Sequence, residues 1–120
     1  MTGPDRAALG REGEELACRY LLEHGYTINE RNWRTRAGEL DIIASSEGLT
    51  VFVEVKTRRG TAFGEPEEAV TTRKTRRIRA LASEYLAGGA HPGGVRFDVI
   101  SILLDGDCEL VELRHITDAF

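Results

Sequence analysis

Cysteine, tryptophan and methionine are all scarce in this 120-residue chain, and each scarcity narrows what it can be. The two cysteines, Cys18 and Cys108, form no CxxC pair and no cysteine–histidine cluster with zinc-ligand spacing. Both read as small core residues, Cys18 in a helix and Cys108 in a strand, rather than as redox centres. His24, His91 and His115 are scattered, and none is spaced with a nucleophile as a hydrolase triad requires. No apolar run approaches the roughly 20 residues of a membrane span. The opening Met1-Thr2-Gly3-Pro4-Asp5-Arg6 passes directly into a polar amphipathic pattern without a signal peptide's apolar segment, so the expectation is a cytoplasmic protein with no membrane partner. With three prolines, no repeat and no low-complexity tract, residues 1–120 are expected to form one domain.

Positive charge is also in deficit overall. A net charge of −4 argues against coating nucleic acid by bulk electrostatics. The basic residues are nonetheless concentrated: Arg31, Arg34 and Arg36; Lys56, Arg58 and Arg59; and Arg73, Lys74, Arg76, Arg77 and Arg79 account for eleven of the sixteen. A local basic face is compatible with that distribution.

What is present is clear periodicity. Leu9, Gly13, Leu16, Ala17, Tyr20 and Leu21 recur at helical spacing and predict an amphipathic helix over 4–24, stopped by Gly25. Residues 26–33 predict a strand, and 39–45 and 49–57 a hairpin turning at Ser46-Glu47-Gly48. A second helix is expected over 66–87, with a restart at Thr72 as the variant reading, a core stripe of Ile78, Leu81, Ala82, Tyr85 and Leu86, and Gly88-Gly89 as its end. After the loop at His91-Pro92-Gly93-Gly94, strands follow over 95–103 and 109–113, joined through Asp105-Gly106-Asp107. The order α-β-β-β-α-β-β implies an α/β fold, a mixed sheet with helices packed on it.

Chemistry concentrates on the hairpin. If Glu47-Gly48 is a two-residue turn, facing residue numbers add to 95 and Asp41 faces Glu54. At roughly 5 Å and an effective dielectric of about 20, two ionised carboxylates there repel by around 3 kcal/mol. Protonation, exposure or a cation between them relieves that repulsion, and only the cation gives the pair a use. Mg²⁺ or Mn²⁺ suits such a donor set. Lys56 projects from the same side of its strand as Glu54 and could orient an attacking water or stabilise charge on a phosphate. The competing reading is a solvated face on which Glu39 pairs with Lys56. Glu14 lies at the border of the first helix's buried stripe, where a carboxylate is unusual unless paired or ligating, while Glu15 points further out.

Other residues carry two readings each. Lys74 shares the stripe of Ile78 and either reaches the site or snorkels past apolar neighbours. Arg73 and Arg77 either contact phosphates or form a solvated face. Trp33 either stacks on a base or packs into the core. Glu39 is an acid near the ion or the partner of Lys56, and Glu68 an acid at a helix N-terminus.

Gly13-Glu14, Arg31-Asn32-Trp33-Arg34, Gly38-Glu39-Leu40-Asp41-Ile42-Ile43-Ala44, Val51-Phe52-Val53-Glu54-Val55-Lys56-Thr57-Arg58, Glu68-Ala69-Val70 and Arg96-Phe97-Asp98-Val99 together resemble the YraN family of small uncharacterised bacterial proteins, over nearly the whole chain. That family is in turn similar to the PD-(D/E)XK nuclease superfamily, nearest to archaeal Holliday junction resolvases and restriction endonucleases. The resemblance implies a restriction-endonuclease-like α-β-β-β-α-β core. It further implies Asp41 and Glu54 as metal ligands, Glu14 as a further ligand and Lys56 as the lysine near the attacking water. Leu40 stands where the superfamily pattern has proline, a position at which its members vary.

The expected activity is Mg²⁺- or Mn²⁺-dependent phosphodiester hydrolysis of DNA, with branched DNA suggested by the resemblance alone. Arg34, Arg36, Arg58, Arg59, Lys74 and Arg77 are the expected nucleic-acid contacts. Resolvases act as symmetric dimers, so the resemblance extends to a homodimer, although no residue in the sequence shows one. The rival expectation is a module that binds nucleic acid or a partner on the same fold without turnover.

Overall fold

The computed structural model describes residues 6–60, 71–89 and 93–120. Its elements follow the predicted order: α1 (Arg6–Glu23), β1 (Thr27–Thr35), β2 (Gly38–Ser46), β3 (Leu49–Arg59), α2 (Thr72–Ala87), β4 (Val95–Leu104) and β5 (Leu110–Ile116). The five strands lie in chain order across one mixed sheet. The β1–β2, β2–β3 and β4–β5 pairs are antiparallel, and β3–β4 is parallel because the α2 crossover separates those strands. This is an α/β fold compatible with a restriction-endonuclease-like core. No helix among the described residues is long and apolar enough to cross a membrane.

The two helices cover opposite faces of the sheet. Ala17, Cys18 and Leu21 of α1 pack on Ile42, Ala44, Val51, Val53, Ile100, Ile102 and Leu104. Ile78, Leu81 and Ala82 of α2 pack on Leu40, Ile43, Phe52 and Phe97. Alternation along β3 and β4 sends successive apolar side chains to opposite helices. Each fully buried leucine, isoleucine or phenylalanine contributes about 1.5–3 kcal/mol of transfer free energy.

The β2–β3 hairpin has the predicted register. Its paired residues run from Ser46–Leu49 to Ile42–Val53, with numbers adding to 95 throughout. Glu47 (φ 48°) and Gly48 (φ 83°) both adopt left-handed backbone, the geometry of a two-residue turn matched to strand twist.

β5 runs on to Ile116 rather than ending at residue 113, and some other expectations fall outside the described residues. The helix start predicted at Pro66 lies outside the described residues, as do Glu68 and His91; the described helix begins at Thr72. Thr71 caps it, its Oγ1 accepting the Lys74 N–H at 3.2 Å. Cys108 is not in a strand: it sits in the turn before β5 with φ 63°, where its N–H donates to the Asp105 carbonyl. Cys18 is in the core as expected. Trp33 takes its packing role, half-buried against α2 with its ring edge-on to Tyr85 at 5.4 Å.

Candidate active site

β2 and β3 stop pairing one residue short of the proposed acid pair. Continued pairing would set Asp41 directly opposite Glu54, but the last matched pair is Ile42–Val53. Asp41 Oδ2 instead accepts the Val55 N–H at 2.9 Å, so a side chain takes over from the ladder where the strands part. The alternation of β2 breaks at the same place. Leu40 packs towards α2, yet Ile42 packs towards α1, although regular pleating would put both on one face. Across β1, Arg31 pairs with Ile42 and Trp33 with Leu40, which leaves Asn32 beside Asp41 with φ 53°. Left-handed backbone is uncommon for a residue other than glycine, and asparagine tolerates it better than most.

α1 closes one side of the resulting notch. Gly13 is buried against Thr57 of β3, and a methyl group at residue 13 would overlap the Thr57 Oγ1. The glycine therefore lets helix and strand approach more closely than any larger residue would, bringing Glu14 to the acids of β2. Oxygens of Glu14, Glu39 and Asp41 lie within 4.8 Å of one another. Glu14, Asp41, Glu54, Lys56 and Lys74 line one cleft, closed by Leu9, Gly10, Val55 and Thr57.

The electrostatics of this cleft are strained. Burial pushes the Asp41 carboxyl up to about 8; the Glu54 charge adds to that, the Val55 N–H opposes it, and the Glu14 charge and a hydrogen bond to Glu54 raise it further. Glu14 is raised as well, mainly by burial, with a hydrogen bond to Asn32 opposing and the Glu39 charge reinforcing. Carboxyl groups that burial first, and neighbouring charge second, hold back from ionising form a donor set that a hard divalent cation stabilises. Asp41 and Glu14 could hold such an ion, with Glu39 beside them and Glu54 in hydrogen-bond reach of Asp41.

Of its two readings, Glu39 takes that of an acid beside the site, and its ion pair is with Arg34 rather than with Lys56. It joins the acid group, and its Oε2 accepts from Arg34 Nε at 2.6 Å, its cross-strand partner on β1. Glu15 points outward, as expected, and pairs with Arg31 at 3.1 Å. Lys74 reaches the site, its Nζ lying 2.6 Å from Glu54 Oε1.

The expected nucleic-acid contacts divide. Arg36 is exposed at the β1–β2 turn, and Arg77 is exposed with its stem lying over Gly38. Arg59 is turned inward: its guanidinium donates to the Gly106 carbonyl of the β4–β5 turn, and its Nε is buried. Arg58 is half-buried. Arg79, of the same basic group but not among those expected contacts, is exposed with its guanidinium 4.6 Å over the Phe97 ring, a cation–π contact.

Sequence reasoning missed a second buried cluster. Asp98 is fully buried on β4. Its carboxylate accepts from Arg96 Nε at 2.9 Å and Nη2 at 2.8 Å, and from the Asp118 N–H at 3.0 Å. His115 Nε2 lies 2.7 Å from it, and His115 Nδ1 lies 3.0 Å from the Tyr20 hydroxyl. The available signal was an aspartate inside the apolar run 95–103, a position where an acid requires a partner.

A family profile described as "Uncharacterised protein family UPF0102" matches residues 13–102. The chain is 54% identical over 114 residues to a UPF0102 protein of Rhodococcus jostii (strain RHA1), covering 94% of this chain and 96% of the relative. It is 55% identical over 101 residues to a UPF0102 protein of Nocardia farcinica, covering 83% and 80%. To a UPF0102 protein of Desulforamulus reducens it is 45% identical over 117 residues, covering 95% and 96%. The matched span contains Glu14, Asp41, Glu54, Lys56 and Lys74.

Proposed function

We propose that this chain, which belongs to the uncharacterised protein family UPF0102, is a divalent-metal-dependent phosphodiesterase that acts on DNA. The observation that carries the reading is the notch between β2 and β3, where Asp41 gives up a regular ladder position to stand among Glu14, Glu39 and Glu54 with Lys56 on the same rim.

Asp41, Glu54 and Glu14 are the proposed ligands of Mg²⁺ or Mn²⁺, and an ion held there supplies Lewis-acid polarisation of a scissile phosphate. Lys56 sits two residues beyond Glu54 on β3, so its ammonium faces the cleft that the acids line. Its proposed work is to orient the attacking water by hydrogen bonding and to stabilise negative charge developing on the phosphate. Arg36, exposed at the turn before Gly38, and Arg77, exposed with its stem over Gly38, are the proposed contacts to flanking phosphates. The likeness of the motif to resolvases makes branched DNA the first substrate to test.

The test is to incubate purified protein with branched, flapped, single-stranded and duplex DNA and with RNA, in Mg²⁺ or Mn²⁺, alongside Asp41→Ala and Lys56→Ala. Metal-dependent cleavage by the wild type, lost in both variants, is expected. Cleavage of no substrate, or cleavage unchanged in the variants, overturns the proposal. Salt-sensitive DNA binding without cleavage identifies a non-catalytic binding module instead.

A further inference from the structure

Lys74 is placed against two ordinary preferences. It is the third residue of α2, and the first turn of that helix contains Arg73 and Lys74 but no acid. Cations at a helix N-terminus oppose the dipole, which favours anions there. Its side chain also leaves open solvent for a strand across the cleft, where Nζ lies 2.6 Å from Glu54 Oε1. The Glu54 side chain is 12% exposed and that of Lys74 37%, so the pair is neither a fully solvated surface bridge nor a sealed one.

The surrounding charges explain the contact. Glu54 shares the cleft with Asp41 and Glu14, and among the described residues the two cationic side chains lining it are Lys56 and Lys74. An ammonium on Glu54 relieves repulsion that a divalent cation would otherwise have to relieve. The backbone of Lys74 is held by the Thr71 cap, while its four-carbon stem leaves the head free to swing.

We propose that Lys74 serves as the counter-ion of Glu54 whenever no divalent cation does, and that on divalent-cation binding it moves to a phosphate of the nucleic acid. This rests on the metal-dependent reading of the cleft. Lys74 and the metal ion compete for the same carboxylate, and the like charge of a bound ion drives the ammonium outward. Once released, it stays at a helix N-terminus, where its own charge and the helix dipole both favour a phosphate oxygen. One side chain thereby links metal occupancy to DNA grip, making Lys74 a positioning and substrate-holding residue whose DNA contact forms only in the metal-loaded protein.

Linkage makes the idea measurable. Mn²⁺ affinity is followed by electron paramagnetic resonance, and binding of a fluorescein-labelled four-way DNA junction and DNA duplex by anisotropy, in EDTA and in Ca²⁺. Lys74→Met should bind Mn²⁺ about tenfold more tightly than wild type because nothing has to be displaced. Its DNA affinity should fall about five- to tenfold in Ca²⁺, with a shallower salt dependence, and match wild type in EDTA. Lys74→Arg should restore both properties towards wild type. Unchanged or weaker Mn²⁺ binding by Lys74→Met, equal DNA loss in EDTA and Ca²⁺, or no DNA binding in Ca²⁺ overturns the proposal. If wild type binds Mn²⁺ and these differences are absent, the coupling alone is wrong. If wild type binds no Mn²⁺, the metal-dependent reading falls with it.

Discussion

The Asp41 carboxylate completes the β2–β3 ladder with its side chain, accepting the Val55 N–H at 2.9 Å just beyond the last matched pair. A titratable group thus stands where a backbone carbonyl would ordinarily serve, and the end of the sheet becomes sensitive to its charge.

Stability should respond to pH through this residue. Burial, followed by the Glu54 charge, raises the folded-state pKa of Asp41 to about 8 from an ordinary value of 3.8. The folded protein therefore holds a proton that the unfolded chain has released between these values, and stability falls as pH rises from about 4 to 8. Asp41→Asn keeps an oxygen for Val55 but carries no charge. It should exceed wild type in stability by on the order of 3 kcal/mol at pH 8, screening in the open cleft included, and lose that advantage by pH 4. Thermal melts of both proteins across this range provide the measurement; parallel curves would refute the assignment.

The same physics predicts a response to metal. At pH 8, millimolar Mn²⁺ should raise the melting temperature of wild type by several degrees, because a ligand that binds only the folded state stabilises it by mass action. Asp41→Asn and Glu54→Gln should gain little, and EDTA should reverse the wild-type gain. Equal gains in all three proteins would indicate binding elsewhere.

Much of this site was legible in sequence, for identifiable reasons. The period-two apolar pattern on either side of Glu47-Gly48 predicts both the turn and the register, and Lys56 follows Glu54 by the two-residue strand repeat. Glu14 was readable from the helical stripe it shares with Ala17, Cys18 and Leu21. The end of pairing beyond Ile42, by contrast, left no mark in the period-two pattern: the same alternation would have carried the ladder on to Asp41 and Glu54. Glu39 and Lys74 each had two readings because strand and helix periodicity give a side chain's direction but not what waits across the gap. Asp98 went unassigned because, apart from Arg96 on its own strand, its partners His115 and Asp118 lie 17 and 20 residues away in segments whose juxtaposition only the fold supplies.

That buried aspartate predicts acid sensitivity. Burial alone would raise its pKa, but hydrogen bonds from His115, Arg96 and the Asp118 N–H overcome burial and hold it below the ordinary carboxylate value. Its contribution is therefore present above about pH 4 and lost as pH falls through the lowered folded value. Asp98→Ala should destabilise by about 3–5 kcal/mol near neutrality, since it strands the Arg96 guanidinium and releases the link to Asp118. Urea unfolding at pH 7 checks the magnitude, and a difference that shrinks below pH 4 checks the sign.

The arginines should separate by role. Arg36→Ala and Arg77→Ala are expected to weaken DNA binding and each to reduce the salt slope by about one, leaving the melting temperature within a degree or two. Arg59→Ala and Arg79→Ala should show the reverse, losing about 1 kcal/mol or more of stability with the Gly106 and Phe97 contacts while DNA affinity changes little. Uniform DNA losses across all four would mean that the phosphate-binding surface extends over both sets.

Gly13 offers a test of how α1 sets the cleft. An alanine methyl at residue 13 meets the side chain of Thr57 on β3, so helix and strand must separate, whereas Gly10, one turn earlier, has open space around it. Alanine has the better helix propensity by ~1 kcal/mol, so Gly10→Ala should be neutral or stabilising. Gly13→Ala should instead destabilise by about 1–3 kcal/mol through overpacking. Because Glu14 is the next residue, the same displacement should weaken Mn²⁺ binding in Gly13→Ala and leave it intact in Gly10→Ala. Adding Thr57→Ala to Gly13→Ala removes the side chain that the new methyl meets, and it should recover part of both losses. Recovery of stability without recovery of Mn²⁺ affinity would mean that Glu14 does not depend on this close approach.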